Sequence, residues 1–263
     1  MRPVLFSILF SVLSTSSFSQ NYDAKSSSLA NTGITQTGVW SNFTNQAGLA
    51  EVKQFTVGLA IKNSFLIQEL STRSAVCAIP VNSGVFGFNI SYTGFELYNE
   101  SKIGLAFAKQ LSNNFNIGVQ IDYLGIYADQ STNNINKFTF EISAQKRLTE
   151  ELALGVHIFN PEFNYNEDNK IPSALKMGLG YDVNQKVSAF TEVELESEEN
   201  AKLKIGVEYK IIKQMQLRTG FYTNPNQNTF GIGYTMNDIQ FDIAIKKHQI
   251  LGYSPVFSVS SAF

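Results

Sequence analysis

An alternation of apolar and polar residues, with a period of two, dominates the chain from residue 54 to its last residue. In residues 115–123 apolar side chains occupy every second position, and Asn, Gly, Gln and Asp lie between them. Successive side chains of a β-strand point to opposite faces of the sheet, so this pattern predicts strands with one apolar and one polar face. The pattern recurs at residues 137–145, 174–182, 203–210 and 239–246. The sequence therefore predicts an all-β fold.

Turn-forming residues divide the alternating region into fourteen predicted strands. These lie at 54–62, 70–79, 84–95, 101–111, 114–127, 137–148, 151–160, 172–183, 186–196, 201–211, 214–223, 227–236, 239–248 and 251–263. Short connections such as 112–113 alternate with longer ones such as 128–136, which is typical of outer-membrane barrels. The second predicted strand alternates poorly around Arg73 and Cys77, and this leaves twelve strands as an alternative.

Long apolar segments are lacking in the region that alternates. The longest strictly apolar run after the first 19 residues is 75–81, and it contains Pro80. A transmembrane helix needs about 20 apolar residues, so a chain like this can span a bilayer only as a closed barrel, in which every backbone group is paired. A secreted β-sandwich is the soluble alternative. The number of consecutive strands and the aromatic last residue, Phe263, favour a transmembrane antiparallel β-barrel.

Two segments precede the predicted barrel, which comprises residues 54–263. Arg2 is followed by an apolar stretch and by a small-residue cleavage pattern, so residues 1–19 are predicted to be a secretory signal peptide. Residues 20–53 lack a strand period but carry several large apolar side chains, which a disordered tail seldom contains. We expect this segment to lie inside or under the barrel as a plug, and the protein to be located in a bacterial outer membrane.

If the apolar face contacts lipid, the polar face lines the lumen. That face carries charges of both signs, which predict either ion pairs that hold the barrel rigid or a surface that selects a solute. The charged residues are Asp122, Glu141, His157, Lys176, Asp182, Glu192, Glu194, Lys204, Glu208, Lys210, Arg218, Asp242 and Lys246. Glycines on the same face, such as Gly118 and Gly220, leave room for an inserted segment or a ligand.

Several kinds of chemistry are not expected. Lys and Arg number 20 and Asp and Glu number 22, so the chain lacks the basic excess of nucleic-acid-binding proteins. A single cysteine excludes a disulfide framework or a cysteine-rich zinc site. The two histidines, His157 and His248, are interpreted as a lumenal and a rim residue rather than as catalytic bases. The acidic loop 164–169 lacks the glycine of a calcium-binding loop. We therefore expect no enzymatic activity, no cofactor and no metal.

Residues 39–50, directly before the first strand, resemble the N-terminal signature of the FadL-like outer-membrane family, and most closely its PorV/PorQ branch. The matching residues are Trp40, Asn42, Asn45, Ala47, Gly48 and Leu49. Gln46 stands where that family usually has Pro. The resemblance implies a fourteen-stranded barrel with an N-terminal plug. It also implies either transport of fatty acids or hydrocarbons, or an accessory role in type IX secretion.

Two functions follow as expectations. In the first, the barrel is a non-enzymatic docking component of protein secretion, and its rim loops 130–136 and 162–170 contact secretion machinery or secreted proteins. In the second, which is the alternative, it is a passive transporter of hydrophobic small molecules, with an apolar lumenal pocket near Phe190 and Tyr222. The polar inner face favours the first. The candidate plug and lumen residues are Trp40, Asn42, Asn45, Gly48, Phe190, Arg218 and Tyr222.

Overall fold

The structure of the protein is a computed structural model, which describes residues 22–129, 134–161, 171–197 and 199–263. The predicted signal peptide 1–19 lies outside these residues. The predicted rim loop 162–170 and four residues of the loop 130–136 also lie outside them. No helix among the described residues is long and apolar enough to span a membrane.

Fourteen antiparallel strands form one closed barrel, in which each strand pairs with its neighbours in sequence and β1 pairs with β14. The strands are β1 Thr56–Asn63, β2 Ser71–Val81, β3 Gly84–Phe95, β4 Tyr98–Ser112, β5 Phe115–Ala128, β6 Ile135–Arg147, β7 Leu152–Phe159, β8 Ala174–Asp182, β9 Val187–Glu196, β10 Lys202–Ile212, β11 Met215–Tyr222, β12 Gln227–Met236, β13 Ile239–His248 and β14 Gly252–Ala262. The prediction of fourteen strands is confirmed, and the alternatives of twelve strands and of a sandwich are wrong.

The poorly alternating second strand forms because both of its neighbours pair with it along nearly its whole length. The largest boundary error is at β4, which begins at Tyr98 rather than at residue 101. Phe95 pairs with Tyr98 across a two-residue turn, so the hairpin extends through residues 98–100, whose sequence shows no alternation.

The two faces of the barrel differ as the alternation predicts. On β5, Val119 and Ile121 are 49% and 55% exposed, whereas Gln120 and Asp122 are 3% and 0% exposed. The outward face is therefore apolar and the inward face polar and buried. Two of the charges predicted to line the lumen, Asp182 and Lys210, keep the inward parity but are exposed to solvent, because they lie near the ends of β8 and β10.

Residues 22–53, here called the N-terminal segment, lie against the inward face of the barrel. They form the short helix α1, Ala24–Ser28, and two 3₁₀-helices, Val39–Phe43 and Gln46–Glu51. The Asp23 carboxylate caps α1 by accepting from Ser26 N at 2.8 Å, and burial raises the pKa of this carboxyl. Two further 3₁₀-helices, Ser64–Leu66 and Gln68–Leu70, connect β1 to β2 at the opposite end of β1.

Candidate functional site in the barrel interior

Backbone amides of the N-terminal segment are satisfied by side chains of the barrel wall. Ala24 N, Ala30 N and Ala47 N donate to the hydroxyls of Ser258, Thr229 and Ser143, each at 3.0 Å, and Ile34 N donates to Glu192 Oε2 at 3.2 Å. A buried amide without a partner would cost about 1–3 kcal/mol, so these inward hydroxyl and carboxyl groups stabilise the segment against the wall.

Glycines of the wall allow this close approach. A Cβ on Gly118 would lie 2.5 Å from Ala47 N and from the carbonyl carbon of Gln46, and one on Gly220 would lie 2.6 Å from Ala30 N. Both contacts are with backbone atoms, which cannot rotate away. The inward glycines predicted to leave room for an inserted segment therefore do so at these two positions.

Asn45 joins the N-terminal segment to two strands. Its Nδ2 donates to the carbonyls of Ile34, Ala144 and Val156 at 2.8–3.3 Å, and its Oδ1 accepts from Ala47 N. The side chain is fully buried. Asn45 thus caps the second 3₁₀-helix and fixes the segment against β6 and β7.

The other motif residues lie in the same contact zone. Asn42 is fully buried and donates to the carbonyls of Val39 and Cys77, both at 3.1 Å. Gly48 packs so closely on Gln36 O and the Ser41 side chain that a Cβ there would clash. Asn42 and Asn45 therefore hold the segment to the wall, whereas Gly48 allows the segment to pack on itself, and the role of these residues as a plug stays a prediction.

A buried polar network centred on Glu141 lies on the inner wall of β4–β7, against the N-terminal segment. Its carboxylate accepts from Lys102 Nζ and Gln46 Nε2 at 2.5 Å and from Gln120 Nε2 at 3.2 Å, and lies 2.7 Å from His157 Nε2. Lys102 also lies 3.5 Å from Asp122 Oδ1. Gln46 stands where the related family usually has Pro, and a proline could not donate this hydrogen bond.

Lys102 was not among the predicted lumenal charges. The sequence does indicate its lumenal position, because Lys102 shares the inward parity of Gly104, Ala106 and Ala108 on β4. His157, which is predicted to be lumenal, is 1% exposed, and its Nε2 lies 2.7 Å from Glu141 Oε2, while its Nδ1 has no hydrogen-bond partner among the described residues. Among the described residues, no group of three or more His, Cys, Asp or Glu side chains could hold a metal ion.

Two further ion clusters lie on the remaining wall. Lys204 Nζ lies 2.8 Å from Glu192 and 2.5 Å from Glu194. Arg218 donates to Glu208 at 2.7 Å and to Asp242 at 2.5 Å, so this candidate residue is held by strands on both sides of β11. These contacts agree with the prediction that the inner charges form cross-strand ion pairs.

An apolar cluster occupies the part of the lumen next to β2–β4. It comprises Tyr22, Val39, Phe43, Leu49, Ala50, Val76, Ala78, Val85, Ala106 and Ala108, with Trp40 and Val52 packed against it. The Trp40 ring packs on Gly58 of β1, where a Cβ would lie 2.8 Å from Trp40 Cζ2. The N-terminal segment and small wall residues therefore build an apolar region inside a mostly polar lumen.

Phe190 and Tyr222 do not belong to an apolar cluster among the described residues. Both side chains are half-buried, and the Tyr222 hydroxyl donates to Gln227. The described residues therefore show no apolar pocket at these two side chains, and the apolar cluster beside the N-terminal segment is made of other residues. The alternation placed both residues on the inner face, but it could not show which inner residues meet.

A cavity of about 550 Å³ opens at the end of the barrel where β1 begins and β14 ends, here called the basal end. It lies between the N-terminal segment and the wall of β10–β14. Trp40 and Arg218 both line it. Val39, Trp40 and Val52 line the basal cavity and also belong to, or pack against, the apolar cluster, so these three side chains lie between the two.

Comparison with solved structures identifies the fold. The Pseudomonas putida toluene transporter TodX superposes with a TM-score of 0.72 at 13% identity, over 93% of this chain and 98% of that one. The Ralstonia pickettii toluene transporter TbuX gives 0.67 at 12% identity, over 92% and 98%. A Pseudomonas aeruginosa FadL homologue gives 0.65 at 12% identity, over 93% and 98%. The chain therefore has the FadL-type barrel fold.

No family model matches the sequence, and no curated protein matches it. The structural likeness thus establishes the fold alone. The finer resemblance to the PorV/PorQ branch rests on the N-terminal motif.

Proposed function

We propose that this chain is exported by its signal peptide 1–19, spans a bacterial outer membrane and lets hydrophobic small molecules cross passively, without catalysing a reaction. The observation that carries the proposal is the FadL-type fold, because two of the most similar structures are toluene transporters. The apolar outward face suits a lipid environment. These features support the passive-transport alternative better than a secretion role.

The apolar cluster supports a route for such molecules. It lies inside the barrel and is built partly from the N-terminal segment, so a shift of that segment would open apolar surface within the lumen. The hydrogen bonds of Gln46 with Glu141 and of Asn45 with Ala144 hold the segment to β6, so its side chains fill this space while those bonds are formed. We infer that the segment, residues 22–53, is a plug and that passage requires it to move.

A reversible cross-link tests this requirement. A Cβ on Gly180 would lie 3.2 Å from Thr35 Cβ, close to the 3.5–4.5 Å of a disulfide, so Thr35→Cys with Gly180→Cys should form one after a small shift. Cys77→Ala removes the single native thiol. In a Gram-negative host without its own hydrocarbon channel, uptake of radiolabelled toluene should fall on oxidation and return on reduction.

The control is Thr35→Cys alone in the same Cys77→Ala background, which cannot cross-link and should respond to neither treatment. Equal uptake by the oxidised and reduced double variant would contradict movement of the plug. Uptake by the wild-type chain no greater than that of the empty host would contradict transport itself.

A second function is a docking component of protein secretion of the type IX, PorV/PorQ-like kind. The hydrogen bonds that hold the N-terminal segment against the inner wall favour it, because a barrel that docks proteins needs no open route. The rim loops 130–136 and 162–170 would be its contact surfaces. Purification from outer membranes in mild detergent tests it: a stoichiometric protein partner, with loss of secreted cargo on deletion of the gene, would support docking, whereas a lone barrel would count against it.

A further inference from the structure

We propose that the outward face of β4–β6, at the basal end of the barrel, binds an anionic phospholipid whose phosphate group lies between Lys109 and Lys146. This inference rests on the proposed membrane location and not on transport. It adds an interaction surface, and the class of lipid that fits it, on the side of the wall opposite to the lumen.

The two faces of the wall differ in the signs of their charges. The inward face carries both signs, as in the clusters of Lys204 and Arg218. Among the described strand residues of outward parity there is no Asp or Glu, and the charged residues are all basic. They are Arg73, Lys109, Lys146 and Lys247. An outward face that carries only positive charges is complementary to an anionic surrounding.

The outward cations lie where lipid headgroups would be. Lys109 is the fourth residue from the end of β4, and Lys146 is the second from the end of β6. A basic residue on the lipid face is costly at the bilayer midplane and costs little near the interface. The long side chains also extend toward the interface, so both ammonium groups are expected at headgroup depth.

Strand register brings Lys109 and Lys146 together as a pair. Ile117 of β5 lies opposite Lys109 on one side and opposite Ala144 on the other. Lys146 follows two residues after Ala144 on β6. With about 4.8 Å between strands and about 3.4 Å per residue, the two lysine Cα atoms lie about 12 Å apart. Both side chains can therefore reach one phosphate group placed between them.

The other two outward cations form no such pair. The row of cross-strand neighbours that begins at Arg73 on β2 reaches Ile243 on β13 after three strand spacings. Lys247 lies four residues beyond Ile243, so its Cα is about 20 Å from that of Arg73. These two cations also lie at the end of the barrel opposite to the basal end. The basal pair is therefore the stronger candidate for a lipid site.

No carboxylate of the protein neutralises the basal pair. Lys109 and Lys146 are both exposed, and neither makes a hydrogen bond or an ion pair with another described residue. Glu51 is the carboxylate nearest to β5 at this end, and it accepts a hydrogen bond from Asn116 on the inner side of the wall. Opposite charge for the two ammonium groups must therefore come from outside the chain.

The surface beside the pair suits the acyl chains of the same lipid. Phe107, Val119 and Ile142 form the adjacent outward row on the side away from the strand ends. Val119 and Ile142 are 49% and 46% exposed. A lipid with its phosphate at the lysines would lay its acyl chains on this row, so both parts of the molecule meet a matching surface.

The turns at the basal end indicate which leaflet is in contact with the pair. β4 and β5 are joined there by residues 113–114, and β6 and β7 by residues 148–151. Outer-membrane barrels have their short turns on the periplasmic side. The leaflet on that side consists of phospholipids, and the anionic ones among them have the charge that the two lysines favour.

Quenching by brominated lipids in vesicles measures this preference at a chosen place on the surface. Trp40→Phe removes the single native tryptophan, and Phe115→Trp then places the fluorophore opposite Lys146 on the outward face. The full chain is reconstituted into phosphatidylcholine vesicles that contain a small fraction of brominated phosphatidylglycerol or brominated phosphatidylcholine. Each lysine should favour the anionic lipid about fivefold, so phosphatidylglycerol should bind there about 25-fold more tightly.

A second reporter position is the matched control. Phe241→Trp, in the same Trp40→Phe background, places the fluorophore on the outward face of β13 at the basal end, where Phe241 is 43% exposed. At that end β12–β14 carry no outward basic residue among the described strand positions. The two brominated lipids should therefore quench this reporter to nearly the same extent.

Substitutions assign the preference to the pair. Lys109→Gln and Lys146→Gln should each lower the preference at the Phe115→Trp reporter about fivefold, and the double substitution should remove it. Lys247→Gln, which removes an outward cation at the opposite end, should leave it unchanged. Because Lys109 and Lys146 are exposed, these variants should fold, and the gel mobility of the folded barrel checks this.

Three results would overturn the lipid site: equal quenching by the two lipids at the Phe115→Trp reporter, the same preference at both reporters, or a preference that survives the double lysine substitution. Reporters that neither lipid quenches would contradict the membrane location as well. A preference that depends on the lysines, in a chain that takes up no toluene, would retain the lipid site and contradict transport.

Discussion

Replacement of Glu141 by Gln tests whether the central network holds the barrel interior together. Glu141 is 2% exposed and receives hydrogen bonds or contacts from Lys102, Gln46, Gln120 and His157. Gln has nearly the same shape but no charge, and its amide NH₂ group would face at least one of these donors. Lys102 would be left with Asp122 alone, at 3.5 Å.

The expected loss of stability follows from these contacts. The charge-assisted hydrogen bond from Lys102 contributes about 1.5–3 kcal/mol, and a buried donor left facing another donor costs about 1–3 kcal/mol. The sum, about 2.5–6 kcal/mol, spans the cost of about 3–5 kcal/mol for removing one partner from a buried ion pair. Combining Glu141→Gln with Lys102→Met should recover part of the loss, because the buried ammonium that lost its closer carboxylate is then removed, while Asp122 keeps its hydrogen bond from Gln120.

Equilibrium unfolding in urea, in lipid vesicles and followed by the gel mobility of the folded barrel, measures this effect. Glu150→Gln, in the exposed turn between β6 and β7, is the matched control and should leave unfolding unchanged. A loss below about 1 kcal/mol for Glu141→Gln would refute the reasoning, since it would mean that water or a rearrangement replaces the pair. A double variant less stable than Glu141→Gln alone would refute the coupling to Lys102.

The remaining predictions concern the two faces of one strand. Ile121→Arg places a charge on the outward face of β5 and should cost about 2–4 kcal/mol in the same vesicle unfolding assay, whereas a loss near zero would contradict contact with lipid. Gly118→Val places a side chain against the backbone of Ala47 and Gln46, so the N-terminal segment should be displaced. Planar-bilayer conductance should then rise above that of the wild type, and an unchanged conductance would show that the segment does not close the lumen.

The strands could be predicted well because alternation is a local signal. Each strand of this barrel has one face toward lipid and one toward the lumen, so burial repeats every second residue and can be counted along the chain. The prediction missed residues 98–100, where this signal is absent, and parity alone did not show that Asp182 and Lys210, near the ends of their strands, are exposed to solvent.

The sequence predicted which residues belong to the candidate site, but not which of them contact one another. Trp40, Asn42 and Asn45 lie where the N-terminal segment meets the wall, Gly48 lies at a close contact within the segment, and Arg218 lies in an ion cluster. Phe190 and Tyr222 face inward without forming the expected apolar pocket. The packed apolar cluster inside the barrel is assembled instead from the segment and from β2–β4, which are separate in the sequence and meet only in the fold.

The sequence by itself determined the all-β class, the number of strands and which residues face inward. Alternate residues of a strand face opposite sides of the sheet and turn residues mark the strand ends, so each of these features can be determined from residues that are close together in the chain. The tertiary structure alone decided which inward residues meet. Lys102 and Glu141 come from different strands, and Ala30 reaches Thr229 across the lumen. Such contacts depend on strand register and on the closure of β1 against β14, and no local pattern encodes either of these.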